Sequence, residues 1–166
     1  MGVTISDKIR VLAKKYSTSG PRYTSYPTAP QFTNEHGRES YLQKLSSFPP
    51  DAGPLSLYVH LPFCEALCYY CGCNVQITKD RKRSASYVDA LLVELGEVAR
   101  LLGSRRKLSQ VAWGGGSPTF SSVGELEKLH LGTKALFDIT ADAEVSIEID
   151  PRVTSDAHLA RLREMG

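Results

Sequence analysis

Hydrophobic and polar positions alternate over residues 55–61. Leu55, Leu57, Val59 and Leu61 fall on one face, and Ser56, Tyr58 and His60 on the other, which is the period of a strand. The period then changes. Tyr87, Leu91, Leu95, Val98 and Leu102 recur at helical spacing, which predicts a helix over 85–102 that Gly103 can end and whose apolar stripe belongs to the core. A second strand is predicted over 108–113, running into Gly114-Gly115-Gly116-Ser117-Pro118, and a second helix from Ser122, where Glu125 completes a capping box. A third strand over 144–150 sets Val145, Ile147 and Ile149 against Ser146, Glu148 and Asp150, and a third helix follows over 155–165. Strand and helix in alternation predict an α/β fold, a parallel sheet of three βα units.

The first 54 residues read differently. Ile5, Ile9, Leu12, Ala13 and Tyr16 mark a helical face, and a second short helix is expected over 35–45. Between them Gly20-Pro21 to Pro30 gives a long loop with three prolines, either a flexible surface loop or a functional one. The expected organisation is therefore a helical and loop segment over 1–54 and the first half of a βα barrel over 55–166. A three-strand parallel sheet would leave an unpaired edge, so a fourth strand is expected beyond residue 166.

Composition narrows the classes. With 166 residues, 42% hydrophobic and 23% charged, the chain suits one globular domain. A net charge of +2 from interspersed residues points to neither nucleic acid nor membrane, and residues 1–20 lack a signal peptide's apolar centre. A cytoplasmic location is expected.

Each predicted strand ends in something unusual, and sites in βα barrels gather at the carboxyl ends of strands. After the first strand come Cys64, Cys68, Cys71 and Cys73. Disulfides among them would staple only a tiny loop, so metal ligation is the better use. A C-x3-C-x2-C loop can hold three corners of an iron–sulfur cubane and leave one iron open to a small molecule. The competing use is a structural zinc site on all four cysteines, although four ligands within ten residues are cramped.

The glycine run offers either backbone donors to a ligand or a tight turn made for packing. Glu148 can accept from ribose hydroxyls, hold a cation, or be salt-bridged barrel filler. Tyr58 and His60 lead toward the cysteines and can each reach a ligand or be satisfied within the protein. Lys79, Arg81, Lys82 and Arg83 read as a solvated loop that would also attract carboxylate-rich substrates.

These motifs together resemble the radical SAM enzymes, which use S-adenosylmethionine (SAM). Residues 21–29 (PRYTSYPTA), 57–64 (LYVHLPFC), Cys73, 113–118 (WGGGSP) and 146–152 (SIEIDPR) resemble the oxygen-independent coproporphyrinogen III oxidases in particular. The resemblance implies a radical SAM partial (β/α) barrel with a 4Fe-4S cluster on Cys64, Cys68 and Cys71, and Cys73 outside the ligand set. It implies SAM contacts from Tyr58, Tyr70, Gly115, Gly116, Ser117 and Glu148, with Ser117 standing where Thr is more familiar.

The implied reaction turns two propionates of coproporphyrinogen III into the vinyl groups of protoporphyrinogen IX, consuming two SAM. The implied partners are that porphyrinogen and an electron donor such as a flavodoxin or ferredoxin, acting on a monomer. Family members run well past residue 166, so full activity is not expected of this stretch alone. A related group of haem chaperones shares the three-cysteine loop, but Cys73 and the 22–29 segment are typical of the oxidases. Residues 22–27, long and aromatic-rich, are expected to lie over the barrel mouth as part of the substrate enclosure.

Overall fold

The computed structural model describes residues 6–17, 28–49 and 51–166. The chain divides into two compact units, Met1–Gly37 and Arg38–Gly166. The first holds helix α1, Asp7–Tyr16, and a 3-10 turn at Ala29–Gln31. Asp7 in the first turn of α1 and Lys14 and Lys15 in its last suit the helix dipole. Ile9, Leu12 and Tyr16 lie exposed on it. The expected loop over 20–27, including Arg22 and Tyr26, and Ile5 lie outside the described residues.

The second unit opens with α2, Arg38–Ser47, shifted along the chain from the expected 35–45. Next come β1, Leu55–Leu61, the short strands β2, Phe63–Cys64, and β3, Gln76–Ile77, and then helix α3, Lys82–Leu102. The remaining elements are β4, Lys107–Gly115, a 3-10 turn at Pro118–Phe120, α4, Val123–Leu136, β5, Asp138–Ile147, and α5, Asp156–Met165. The main sheet is parallel, in the order β1-β4-β5. This is the α/β architecture that the alternation predicts.

One face of the sheet packs on the helices. Val59 and Leu61 of β1, and Leu108, Val111 and Trp113 of β4, join Val88, Leu95, Leu126 and Leu129 in one buried cluster. Leu108 and Val111 are three apart, which strict alternation would put on opposite faces. A register shift between Leu108 and Gln110 returns both to the core. The α3 stripe is turned slightly from its expected line: Val88, Leu95 and Ala99 are buried, while Tyr87, Leu91 and Leu102 flank them.

The third strand needs correction at both ends, since it runs over 138–147 rather than 144–150. Residues 138–143 show little alternation because the ladder is irregular there: Leu108 pairs with Ile139, but Gln110 already pairs with Glu144. Glu148 and Asp150 thus follow the strand rather than lie within it, although the Glu148 amide still donates to the Trp113 carbonyl at 2.9 Å.

Two helices start as their sequences specify. The Ser122 hydroxyl accepts from the Glu125 amide, and the Glu125 carboxylate accepts from the Ser122 amide. At α5, the Ser155 hydroxyl and the His158 ring form the matching box. The Ser155 amide donates to His158 Nδ1, so Nε2 carries the hydrogen it gives to the Ser121 carbonyl. We expect Ser122→Ala to cost about 1 kcal/mol, read as a lower urea midpoint at unchanged slope.

Candidate active site

The face of the sheet away from the helices is polar and built in layers by the parallel register. Ser56, Gln110 and Glu144 make one row, Tyr58, Ala112 and Ser146 the next, and His60 pairs with Gly114 in the row beyond. The central strand contributes Ala112 and Gly114 to the upper rows. A trough therefore runs between Tyr58 and His60 on one side and Ser146 and Glu148 on the other.

Gly114 lies at the bottom of this trough. A Cβ there would stand 2.9 Å from the Glu148 carboxylate and 3.1 Å from the Tyr58 hydroxyl, so those two groups close over it. The Gly115 amide donates to Glu148 Oε2 at 3.2 Å. Gly115 has φ +116°, and a side chain there would strike the His60 ring at 2.6 Å. The next two amides are also engaged, Gly116 with the Leu61 carbonyl and Ser117 with the Phe63 carbonyl, both at 2.9 Å. The glycine run thus serves close packing first. Its amides are held by the protein, and what it offers a ligand is backbone free of side chains.

His60 is satisfied within the protein. Its Nε2 lies 2.8 Å from the Asn74 carbonyl, which can only accept, so Nε2 carries the hydrogen and in the neutral ring Nδ1 accepts from the Tyr58 hydroxyl at 3.2 Å. Tyr58 remains 57% exposed to the trough. Burial pushes its hydroxyl pKa up, and the nearby Glu148 carboxylate and Cys73 thiol push it further the same way.

The cysteine loop is clasped at its base by β2 and β3, where Gln76 donates to the Pro62 carbonyl and Thr78 to the Cys64 carbonyl. Arg81 braces it from outside, pairing with the Glu65 carboxylate and the Phe120 carbonyl and stacking over the Phe120 ring. Arg83 donates to Gln76. These two members of the basic stretch are accordingly occupied with the loop's own scaffold.

Cys64, Cys68 and Cys71 are half-buried and Cys73 is exposed. Burial raises the Cys64 pKa, and the neighbouring Cys71 and Cys68 raise it further. The Cys71 charge does the same to Cys73. Among the described residues no three His, Cys, Asp or Glu side chains converge on a point that could hold one metal ion. Three half-buried cysteines on one clasped loop are the donors that a cluster with thiolate corners requires.

Of the SAM contacts expected, the structure brings together Tyr58, Gly115 and Glu148. Gly116 and Ser117 lie at the junction of β4 with the cysteine loop, where Ser117 is 4% exposed and its Oγ has no hydrogen-bond partner among the described residues. Tyr70 stands apart on the loop, 89% exposed. Sequence reading gave no role to Arg152, whose guanidinium donates to Cys68 Sγ at 3.6 Å while paired with Asp150. That pairing holds the Asp150 carboxyl below the usual carboxylate range. The available signal was an Asp-Pro-Arg sequence directly after a strand end.

Residues 58–166 match the family model described as Radical SAM superfamily. The oxygen-independent coproporphyrinogen III oxidase of Escherichia coli (strain K12) is 43% identical over 166 residues, covering 100% of this chain and 36% of that protein. The protein of the same name from Mannheimia haemolytica is 44% identical over 140 residues, covering 84% of this chain and 94% of that protein. Among solved structures, the coproporphyrinogen III oxidase (HemN) from Escherichia coli, described as a radical SAM enzyme, superposes with a TM-score of 0.81 at 41% identity, covering 94% of this chain and 34% of that chain. The chain thus spans about a third of the length of its Escherichia coli relative. Among the described residues no helix is long and apolar enough to cross a membrane.

Proposed function

Because the chain belongs to the radical SAM superfamily and, within it, to the oxygen-independent coproporphyrinogen III oxidases, we propose that it is the cluster- and SAM-binding part of an enzyme that converts coproporphyrinogen III to protoporphyrinogen IX. Two propionate side chains are oxidatively decarboxylated to vinyl groups in that conversion. The observation that carries this reading is the convergence of Tyr58 and Glu148 on Gly114, at the strand ends from which the cysteine loop departs.

The superfamily implies a 4Fe-4S cluster and SAM, and Cys64, Cys68 and Cys71 are the residues that would hold the cluster. Bound there, the pair supplies reductive cleavage of SAM to methionine and a 5′-deoxyadenosyl radical, the species that takes a hydrogen atom from a propionate. Glu148 gives Oε2 to the Gly115 amide and keeps Oε1 to accept from the ribose hydroxyls of SAM. Tyr58 closes the other side of the trough, and Gly115 and Gly116 admit the ligand close to backbone. Tyr70 and Ser117 complete the SAM-contacting set from the cysteine loop and from its junction with β4. Cys73 stays outside the ligand set. A flavodoxin or ferredoxin delivers the electron, and the protein works as a monomer.

Glu148→Ala removes a charged acceptor from ligand hydroxyls, an interaction of about 1.5–3 kcal/mol. We expect SAM to bind at least about tenfold more weakly to the reconstituted chain while cluster iron is unchanged, measured by equilibrium dialysis. The reaction is tested by putting this chain in place of the matching third of the Escherichia coli oxidase and assaying the chimera without oxygen. Protoporphyrinogen together with 5′-deoxyadenosine is expected. Bound haem with neither product would overturn the reading.

A further inference from the structure

We infer that Arg152 is a positioning residue for the cluster loop: clamped by Asp150, its guanidinium holds the Cys68 sulfur by a hydrogen bond and raises the potential at which the bound cluster takes its electron. The inference rests on the reading of Cys68 as a cluster ligand and adds to it a group 84 residues away in sequence.

The guanidinium is pre-positioned. Its Nε lies 2.9 Å from Asp150 Oδ1 and its Nη2 lies 2.7 Å from Asp150 Oδ2, and the Arg152 amide donates to Oδ1 at 2.9 Å as well. Asp150 is itself anchored, because its carbonyl accepts from the Val153 amide and from both the amide and the hydroxyl of Thr154. The Thr154 hydroxyl meets that of Thr119, which is fully buried, at 2.7 Å. A continuous set of hydrogen bonds therefore runs from the buried strand-end turn through Asp150 and Arg152 to Cys68. The nearby cations Arg81 and Arg83 are committed to Glu65, the Phe120 carbonyl and Gln76. Among the described residues, Arg152 is the cation whose side chain reaches a cysteine sulfur.

The physical consequence follows from charge. Reduction adds one electron to the cluster and its thiolates, and a cation donating N–H to a ligating sulfur stabilises that added charge. Arg152 is 63% exposed, so water screens part of the effect. An effect of about tenfold in electron affinity corresponds to about 59 mV for one electron. Lysine carries the charge but lacks the planar fork that Asp150 grips, so it should recover only part of the effect.

The test uses the full chain, reconstituted with iron and sulfide without oxygen and titrated with a low-potential reductant while the reduced cluster is followed by electron paramagnetic resonance. R152M is expected to hold the same iron as the unmodified chain, with a midpoint about 59 mV or more lower, and R152K to fall between the two. R152Q, which removes the charge but keeps a polar side chain, is expected to shift the same way, and it serves as the readout if R152M does not fold. Loaded R152M, or loaded R152Q in its place, at the unmodified midpoint would overturn the inference and leave the cluster reading intact. An unmodified chain that takes up no cluster would overturn both.

Discussion

Cys64→Ala, Cys68→Ala and Cys71→Ala are each expected to leave the chain with less than about a tenth of the cluster iron and sulfide that the unmodified chain takes up, and with no SAM cleavage. Cys73→Ala is expected to keep its cluster. The three thiols are half-buried on a loop clasped by β2 and β3, while Cys73 is exposed. Removing one corner leaves the others without a closed ligand set, and metal binding on such a loop is lost with the ligand rather than weakened in proportion. Iron and sulfide analysis after anaerobic gel filtration separates the outcomes. Equal loss in all four variants would mean that the set is four cysteines, as in the zinc alternative.

The second large effect is expected at Gly116. A methyl group there would lie 2.6 Å from the Pro62 carbonyl oxygen and 2.8 Å from that of Phe63, and backbone atoms cannot swing aside. Relief requires β4 to part from the start of the cysteine loop, which breaks the hydrogen bonds from the Gly116 and Ser117 amides to Leu61 and Phe63. Overpacking and the lost bonds together amount to roughly 2–4 kcal/mol. We therefore expect Gly116→Ala to lower the urea midpoint by about 1 M or more and to lose cluster with it. Gly114 gives the contrast. Its added methyl would meet the ends of the Glu148 and Tyr58 side chains, which can rotate away. Gly114→Ala should leave stability nearly unchanged and weaken SAM binding, because the groups it displaces are those that close the trough. Equal loss of stability in both would show that the glycine run has a packing role alone.

How far the sequence reveals this depends on which force fixes each element. β1 is legible to the residue because strict alternation and a buried face decide it, and α4 because Ser122 and Glu125 write its start. The first half of β5 is not legible: residues 138–143 pair irregularly and carry little two-residue period, so only 144–147 announce a strand. Glu148 is expected within the third strand; it lies just past the strand end, held there by the hydrogen bond from its amide to the Trp113 carbonyl.

Long-range pairings are the least legible part. Arg152 with Cys68, Arg81 with Glu65, and His60 with the Asn74 carbonyl all depend on how loops return in space, and no local period encodes them. The basic stretch at 79–83 illustrates the point: its side chains are exposed, as charge suggests, and what no local pattern reveals is that Arg81 and Arg83 bond the scaffold of the cysteine loop while Lys82 and Arg83 already open α3.

The central claim is that Cys64, Cys68 and Cys71 present a cluster with a position open to SAM. It is tested most directly by recording the electron paramagnetic resonance spectrum of the reduced, reconstituted chain before and after SAM is added. The account predicts a cluster signal that changes shape when SAM binds, with the change weakened in Glu148→Ala. A cluster signal indifferent to SAM, or a colourless chain that binds one zinc and no iron, would contradict it.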